Sequence, residues 1–124
     1  MQIKLFNDNK IRSKWVKEKE KWYFSIIDIV AVLTESKNPS SYWSTLKQRL
    51  IKEGNQSVTN CDKLKLKSSD GKFYNTDVAD TETLLRLIQS IPSPNAEPFK
   101  IWLAKVGNER INEIVDPQIA IALS

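Results

Sequence analysis

The sequence has no histidine and only one cysteine, Cys61, among its 124 residues. Without histidine it can form no histidine-based triad, metal site or general base. A single cysteine allows neither an intramolecular disulfide nor a cysteine-based zinc site, which fits a reducing cytoplasm. The three glycines form neither a P-loop nor a glycine-rich nucleotide-binding loop. We therefore expect a protein that is not an enzyme and that needs no cofactor and no metal.

Long apolar runs are also missing. No stretch approaches the roughly 20 residues that a membrane-spanning helix needs, and the N-terminal MQIKLFNDNK lacks the apolar segment of a signal peptide. Hydrophobic residues make up 40% and charged residues 27% of the chain, as in ordinary globular proteins. The length predicts one domain, at residues 1–115. Residues 116–124 are expected to begin a further C-terminal helix or a truncated following region.

The charge is unevenly distributed along the chain. Residues 1–75 contain 15 Lys/Arg against 8 Asp/Glu, whereas residues 76–124 contain 4 against 7. This asymmetry favours one surface that faces a polyanion and another that packs or meets a partner. A basic surface that is merely solvated is the competing interpretation.

Two helices with a short polar turn between them are predicted in the first half. Ser25, with Asp28 three residues later, resembles a capping box before the apolar run at residues 26–33. Asn38 and Pro39 are the candidate cap and first residue of the second helix. Tyr42, Trp43, Leu46 and Leu50 share its apolar side. The opposite side lacks acidic residues and carries Ser41, Ser44, Thr45, Gln48, Arg49 and Lys52. The outline is that of a helix-turn-helix.

A β-hairpin is predicted around Asp70-Gly71, a strong signal for a two-residue turn. Centring the hairpin there pairs Ser68 with Phe73 and Leu66 with Asn75. In that register Leu64, Leu66 and Phe73 lie on one face, and the other face carries Lys63, Lys65, Lys67, Lys72 and Tyr74. The lysines suit phosphate contacts, but they equally suit protection of an exposed strand edge.

The remaining elements complete an α+β fold. Short strands are predicted before residue 25, with turns at residues 7–9 and 17–21 and with Trp15, Trp22 and Phe24 facing the core. Helices are predicted from Asp80 or Thr81 and from Ala96, where Gly107 kinks or divides the second. We expect a small sheet of antiparallel hairpins packed with four to five helices, in an arrangement compatible with a winged helix-turn-helix.

Three stretches resemble the N-terminal domain of the BRO family (Bro-N), which viral BRO proteins and prophage antirepressors share. They are WYFSIIDIVAVL, TETLLRLIQSI and NAEPFKIWLAKV, the last of which matches A-x-x-F-x-x-W-[LV] at Ala96, Phe99, Trp102 and Leu103. The resemblance implies an α+β domain with a role in DNA binding, and it supplies no catalytic residues. The helical spacing of Phe99 and Trp102 indicates packing.

The leading hypothesis is a DNA-binding module of a prophage-type antirepressor or transcriptional regulator. Gln48 and Arg49 have the donors and acceptors to contact base edges, and Ser41, Thr45 and Lys52 suit phosphates. The hairpin adds Lys63, Lys65, Lys67 and Lys72. We expect DNA as the partner, and a repressor or a second copy of the chain as a further candidate.

Two alternatives come from other classes. A protein-interaction module that binds and neutralises a repressor would use the acidic residues Glu97, Glu109, Glu113 and Asp116. A metal-dependent nuclease would use Asp62, Asp70, Asp77 and Asp80. Asp70 is explained by its turn, and Asp77 or Asp80 by a helix cap, so the nuclease hypothesis has little left to support it.

Overall fold

The computed structural model describes the backbone of residues 2–6, 9–55 and 61–115, and the side chains of residue 6 and of residues 9–55 and 61–106. These ranges contain five strands and four helices. The strands are β1 (Gln2–Phe6), β2 (Asn9–Val16), β3 (Lys21–Ser25), β4 (Asp62–Lys67) and β5 (Phe73–Asp80). The helices are α1 (Ile26–Thr34), α2 (Pro39–Lys52), α3 (Thr81–Ile88) and α4 (Ala96–Val115). The fold is α+β, as the sequence predicts.

All five strands form one antiparallel sheet in the order β1-β2-β3-β5-β4. The first three strands follow one another as hairpins, whereas β5 joins the sheet beside β3 after α1 and α2 have intervened. Of the two predicted N-terminal turns, residues 17–20 form the second, and residues 7 and 8 of the first lie outside the described part.

Three of the helices begin at the caps that the sequence indicates. The Ser25 hydroxyl accepts a hydrogen bond from the backbone N–H of Asp28, and the Asn38 side chain accepts one from Ser41, with Pro39 in the first helical turn. Asp80 caps α3 by accepting from the Thr83 N–H. Each of these side chains satisfies a backbone donor that the first turn of a helix leaves without a partner.

The helices cover one face of the sheet and enclose an aromatic cluster. Phe24 and Phe99 are fully buried, and the Phe6 ring meets the Phe99 ring edge-on with 5.1 Å between centroids. Trp102 is half-buried beside them, 5.1 Å from Phe99. Trp15 is also half-buried and packs against the core, edge-on to the buried Trp22. The core role predicted for the helical aromatic residues is therefore confirmed.

Helix α4 extends beyond the NAEPFKIWLAKV motif. It runs without interruption from Ala96 to Val115, so Gly107 does not divide it. The helix predicted at residues 116–124 lies outside the described residues.

The β4–β5 hairpin has a register one residue away from the predicted one. Lys67 pairs with Phe73, and Leu66 pairs with Tyr74. The cause is the turn: Gly71 donates to the Ser68 carbonyl and has a φ of +85°, and the Ser68 N–H bonds the Lys72 carbonyl. This is a three-residue loop with a bulge at glycine, whereas a two-residue type I′ turn would need positive φ at two consecutive residues. The predicted two-residue turn is wrong.

A slip of one residue exchanges the two faces of a strand. Phe73 therefore lies on the face of Lys63, Lys65 and Lys67 and is 59% exposed, contrary to the prediction that it would join Leu64 and Leu66. Tyr74 lies opposite Leu66, contrary to its predicted place on the lysine face. Leu66 is buried with Tyr23 and Val78 on the side of the sheet away from α1–α4.

Candidate nucleic-acid interface

Helix α2 presents the side without acidic residues that its sequence predicts. Trp43, Leu46 and Leu50 are buried and hold the helix against the core. The five residues proposed to contact DNA are all exposed along it: Ser41, Thr45, Gln48, Arg49 and Lys52. Asn38 caps the N-terminus, and Lys52 is the last helical residue before Glu53 and Gly54 end the helix, with Gly54 at a φ of +71°.

Asp77 of β5 joins this helix to the hairpin. Its Oδ2 accepts hydrogen bonds from the indole Nε1 of Trp43 at 2.7 Å and from the Nζ of Lys47 at 3.1 Å. On the other side, the Nζ of Lys63 in β4 lies 3.9 Å from its Oδ1. One carboxylate thus contacts two residues of α2 and one residue of the edge strand.

The environment of Asp77 stabilises its charged form. Burial alone would raise the pKa of the carboxyl group, but the hydrogen bonds from Trp43 and Lys47 and the positive charges of Lys47 and Lys63 outweigh that effect and lower it. The carboxylate is therefore ionised at neutral pH and holds two lysines of the surface in place.

The contact with Trp43 also shows which way the lysines of β4 point. Lys63, Lys65 and Lys67 pair across the hairpin with Asp77, Asn75 and Phe73, and residues paired in this way share one face of a sheet. Because Asp77 faces α2, the three lysines project from the side of the sheet on which α2 packs. We call this side the lysine face: Lys63, Lys65, Lys67, Phe73, Asn75 and Asp77. Lys72, the fourth lysine of the prediction, is exposed at the tip of the hairpin.

A groove separates α2 from the hairpin. It encloses about 390 Å³, and its lining includes Ser40, Trp43 and Ser44 of α2 and Ser68, Asn75 and Asp77 of the hairpin. Hydroxyl and amide groups dominate this lining. The predicted residue set omits Ser40, Lys47 and Asn75. Lys47 could have been included from the sequence, because it is a cation on a helix without acidic residues. Asn75 can be assigned to this surface only once the register of the hairpin is known.

The predicted contacts of α2 are divided between two sides of the helix. Ser41, Thr45 and Arg49 line a second groove, of about 440 Å³, together with Ser36 and Asn38. Arg49 donates a hydrogen bond to the Ser90 carbonyl at 3.3 Å, just beyond α3. The structure therefore brings Lys47 close to Lys63, but it turns Arg49 away from the hairpin.

Three exposed lysines of the interface have no carboxylate partner among the described residues. Among the described carboxylates, none lies within 4.0 Å of the ammonium group of Lys52, Lys65 or Lys72. Arg49 has a carboxylate nearby only at 3.9 Å, that of Glu53. These cationic groups are therefore open to contact by an anionic partner.

Arg12 anchors the turn end of the hairpin. Its guanidinium binds Asp28 in a two-pronged arrangement, with Nε–Oδ2 at 2.8 Å and Nη2–Oδ1 at 3.0 Å. Its Nη1 donates to the Lys67 carbonyl at 3.2 Å, and its Nη2 also reaches the Ser25 hydroxyl. The start of α1 and the end of β4 are therefore held by one side chain of β2.

The protein-interaction and nuclease hypotheses depend on acidic residues. Those whose side chains the structure describes form hydrogen bonds or ion pairs within the chain. Asp62 pairs with Lys19, Asp80 caps α3 and pairs with Lys21, and Asp70 binds the turn and the Tyr74 hydroxyl. No three His, Cys, Asp or Glu side chains among the described residues are grouped so that they could hold a metal ion. Glu97 pairs with Lys100 at 3.1 Å. The side chains of Glu109 and Glu113, and the whole of Asp116, lie outside the described residues.

Comparisons with known proteins point to one family. The family model described as "BRO family, N-terminal domain" matches residues 10–112, which include both α2 and the hairpin. Neither a curated protein nor a solved structure matches the chain.

Proposed function

Because the chain belongs to the BRO family through its N-terminal domain, we propose that it binds duplex DNA through α2 and the lysine face. The finer role proposed is that of the DNA-binding module of a prophage-type antirepressor or transcriptional regulator in the cytoplasm, acting by binding and without catalysis. Within the described residues, no helix is both long and apolar enough to cross a membrane.

The observation that carries this proposal is the shared orientation of α2 and the lysines of β4. Two basic elements far apart in the sequence meet at Asp77, which brings Lys47 of α2 and Lys63 of β4 to the same carboxylate. Phosphate contacts from a common surface add together and dominate the affinity of most DNA-binding proteins. Lysines that only protect a strand edge would need no helix beside them.

The two elements have different tasks in this proposal. The side chains of Ser41, Thr45, Gln48, Arg49 and Lys52 face a groove of the duplex, where Gln48 and Arg49 contact base edges. Lys63, Lys65, Lys67 and Lys72 contact phosphates and set the position of the domain along the duplex. If four lysines neutralise phosphates, the logarithm of the affinity falls against the logarithm of the salt concentration with a slope of about −3 to −4.

The test is a fluorescence-anisotropy titration of a labelled duplex at several salt concentrations. The variant Lys65→Glu/Lys67→Glu should weaken binding by at least about tenfold on any duplex sequence, and it should flatten the salt slope by about two. The matched control is Lys14→Glu/Lys105→Glu, which changes the net charge equally at exposed lysines of β2 and α4. Equal losses in the two variants would show that the affinity follows total charge and not this surface.

The same titration separates this proposal from its alternative. A domain that binds and neutralises a repressor, or that pairs with a second copy of itself, would leave the anisotropy of the duplex unchanged at low salt. A wild-type chain that does not bind duplex DNA at low salt would overturn the proposed function.

A further inference from the structure

Phe73 is a large apolar side chain at the turn end of the lysine face. It is 59% exposed on the lysine face, directly across the hairpin from Lys67 and two pairs away from the pair formed by Lys65 and Asn75. Isolated apolar side chains are common on protein surfaces. An aromatic ring flanked by cations, on the surface proposed to meet DNA, calls for a more specific explanation.

The hairpin holds Phe73 in a defined place. The adjacent Tyr74 donates its hydroxyl to Asp70 at 2.6 Å, and the other oxygen of Asp70 accepts from the Lys72 N–H at 2.9 Å. These bonds tie the turn to the first residues of β5. The bulge at Gly71 then sets the register that places the ring of Phe73 beside the lysines. Phe73 is the first residue of β5, so it projects from the distal end of the hairpin.

The neighbours of Phe73 indicate the kind of partner. A protein interface at this position would need a contiguous apolar patch, but the lysine face offers lysines and an asparagine around the ring. Nucleic acid combines anionic phosphates with apolar base faces. Side chains two residues apart on a strand are separated by about 6.6 Å, so Lys65 and Lys67 can reach successive phosphates while the ring reaches a base step.

We propose that Phe73 is a wedge that inserts between two base pairs of bound duplex DNA from the minor groove and kinks it. The inference rests on the proposed function, because it needs the lysine face to lie along phosphates. Apolar wedges of this kind unstack one base step and kink the duplex by roughly 20 to 90° towards the major groove. Steps that unstack easily, such as TA, should be bent most.

The experiment measures affinity and bending in the same titration. A duplex of 24 base pairs carries a donor and an acceptor dye at its two ends and a single TA step at its centre. A kink of about 60° shortens it from about 82 Å to about 71 Å, so energy transfer between the dyes rises on binding. A second duplex replaces the TA step with an A-tract, which resists bending.

Wild-type protein should raise energy transfer on the TA duplex and raise it less on the A-tract duplex. Phe73→Ala should abolish the rise while changing the affinity by less than about tenfold, because the lost stacking contact and the avoided unstacking cost oppose each other. Phe73→Leu keeps an apolar wedge and should retain the rise. Ile101→Ala removes a still more exposed apolar side chain on α4, 72% accessible, and should change neither quantity.

The outcomes separate the two proposals. If the wild-type chain binds the duplex but energy transfer does not rise, or rises equally with Phe73→Ala, the wedge is refuted and the proposed function stands. If the wild-type chain does not bind at all, both fail. Circular dichroism and urea unfolding should show that both Phe73 variants fold like the wild type, because the side chain is exposed.

Discussion

Replacement of Asp77 tests the contact that places α2 beside the hairpin. In Asp77→Ala, the indole N–H of Trp43 loses its acceptor, and Trp43 is only 3% exposed. A buried donor without a partner costs about 1 to 3 kcal/mol. The ion pair with Lys47, whose side chain is 34% exposed, adds at most about 1 kcal/mol because water screens it. We expect Asp77→Ala to lower the free energy of unfolding by about 2 to 4 kcal/mol.

Asp77→Asn separates the hydrogen bond from the charge. The amide oxygen can still accept from the indole of Trp43, so the expected loss at pH 7 is only about 1 kcal/mol. The pKa of Asp77 is lowered in the folded chain. Its charge therefore adds stability above the unfolded pKa of about 3.9, and this contribution disappears as the pH falls through the lower folded value. The difference between wild type and Asp77→Asn should shrink below about pH 4.

The measurement is urea unfolding, followed by circular dichroism at pH 7 and at pH 3. Glu53→Gln is the control, because the side chain of Glu53 is 57% exposed and lies 3.9 Å from its partner, so its loss should be within about 0.5 kcal/mol. A loss in Asp77→Ala no larger than that of the control would refute the argument. An undiminished difference between wild type and Asp77→Asn at pH 3 would show that charge is not what the asparagine removes.

Three further substitutions or reactions test the rest of the structure. Arg12→Ala leaves the Asp28 carboxylate without its guanidinium partner and should lower the free energy of unfolding by about 2 to 3 kcal/mol. Because the Lys67 carbonyl also loses a donor, amide hydrogen exchange in β4 should become faster. Unchanged exchange in β4 would contradict the role assigned to Arg12. Phe99→Ala should cost about 3 to 5 kcal/mol in urea unfolding, because the ring is fully buried, and a loss below about 1 kcal/mol would contradict the packing. Burial raises the pKa of the Cys61 thiol to about 11, so alkylation by iodoacetamide at pH 8 should be about a hundredfold slower in the folded chain than in urea, and rates within tenfold would refute this.

Features that depend on neighbouring residues could be predicted from the sequence. Three helix starts were predicted correctly, those capped by Ser25, Asn38 and Asp80. A cap can be recognised from the sequence because it needs only its own side chain and the N–H groups two or three residues later. The buried side of α2 also follows from its periodicity, since Trp43 and Leu46 lie on one stripe in any straight helix. The assignment to an α+β fold follows from such local signals.

The register of the hairpin could not be predicted in the same way. Asp70-Gly71 is compatible both with a two-residue turn and with a three-residue loop that places glycine at the bulge. The two differ by one residue, and composition does not choose between them. The Asp70 side chain does so in the folded chain, through its bonds to Lys72 and Tyr74. The consequence is large, because it moves Phe73 from the predicted apolar face to the lysine face.

The candidate interface was predictable in composition but not in geometry. The sequence identifies basic residues without acidic neighbours on α2, and it identifies the alternating lysines of β4. It does not show that Asp77 lies between them, because that contact spans 34 residues from Trp43 and depends on β5 pairing beside β3. Of the two aspartates predicted as candidate helix caps, Asp80 caps α3, whereas Asp77 contacts Trp43 and Lys47 of α2.

The position of Asp77 has two opposed effects on the proposed interface. Its charge partly neutralises Lys47 and Lys63, so these residues offer less to a phosphate than their number suggests. The same contacts fix the spacing between α2 and the lysine face, and a fixed spacing lowers the entropy lost when several phosphates are bound at once. The carboxylate would also repel a phosphate that approached the groove directly. The strongest phosphate contacts should therefore lie away from it, at Lys65 and Lys72, which puts the DNA backbone along the distal part of the hairpin, next to Phe73.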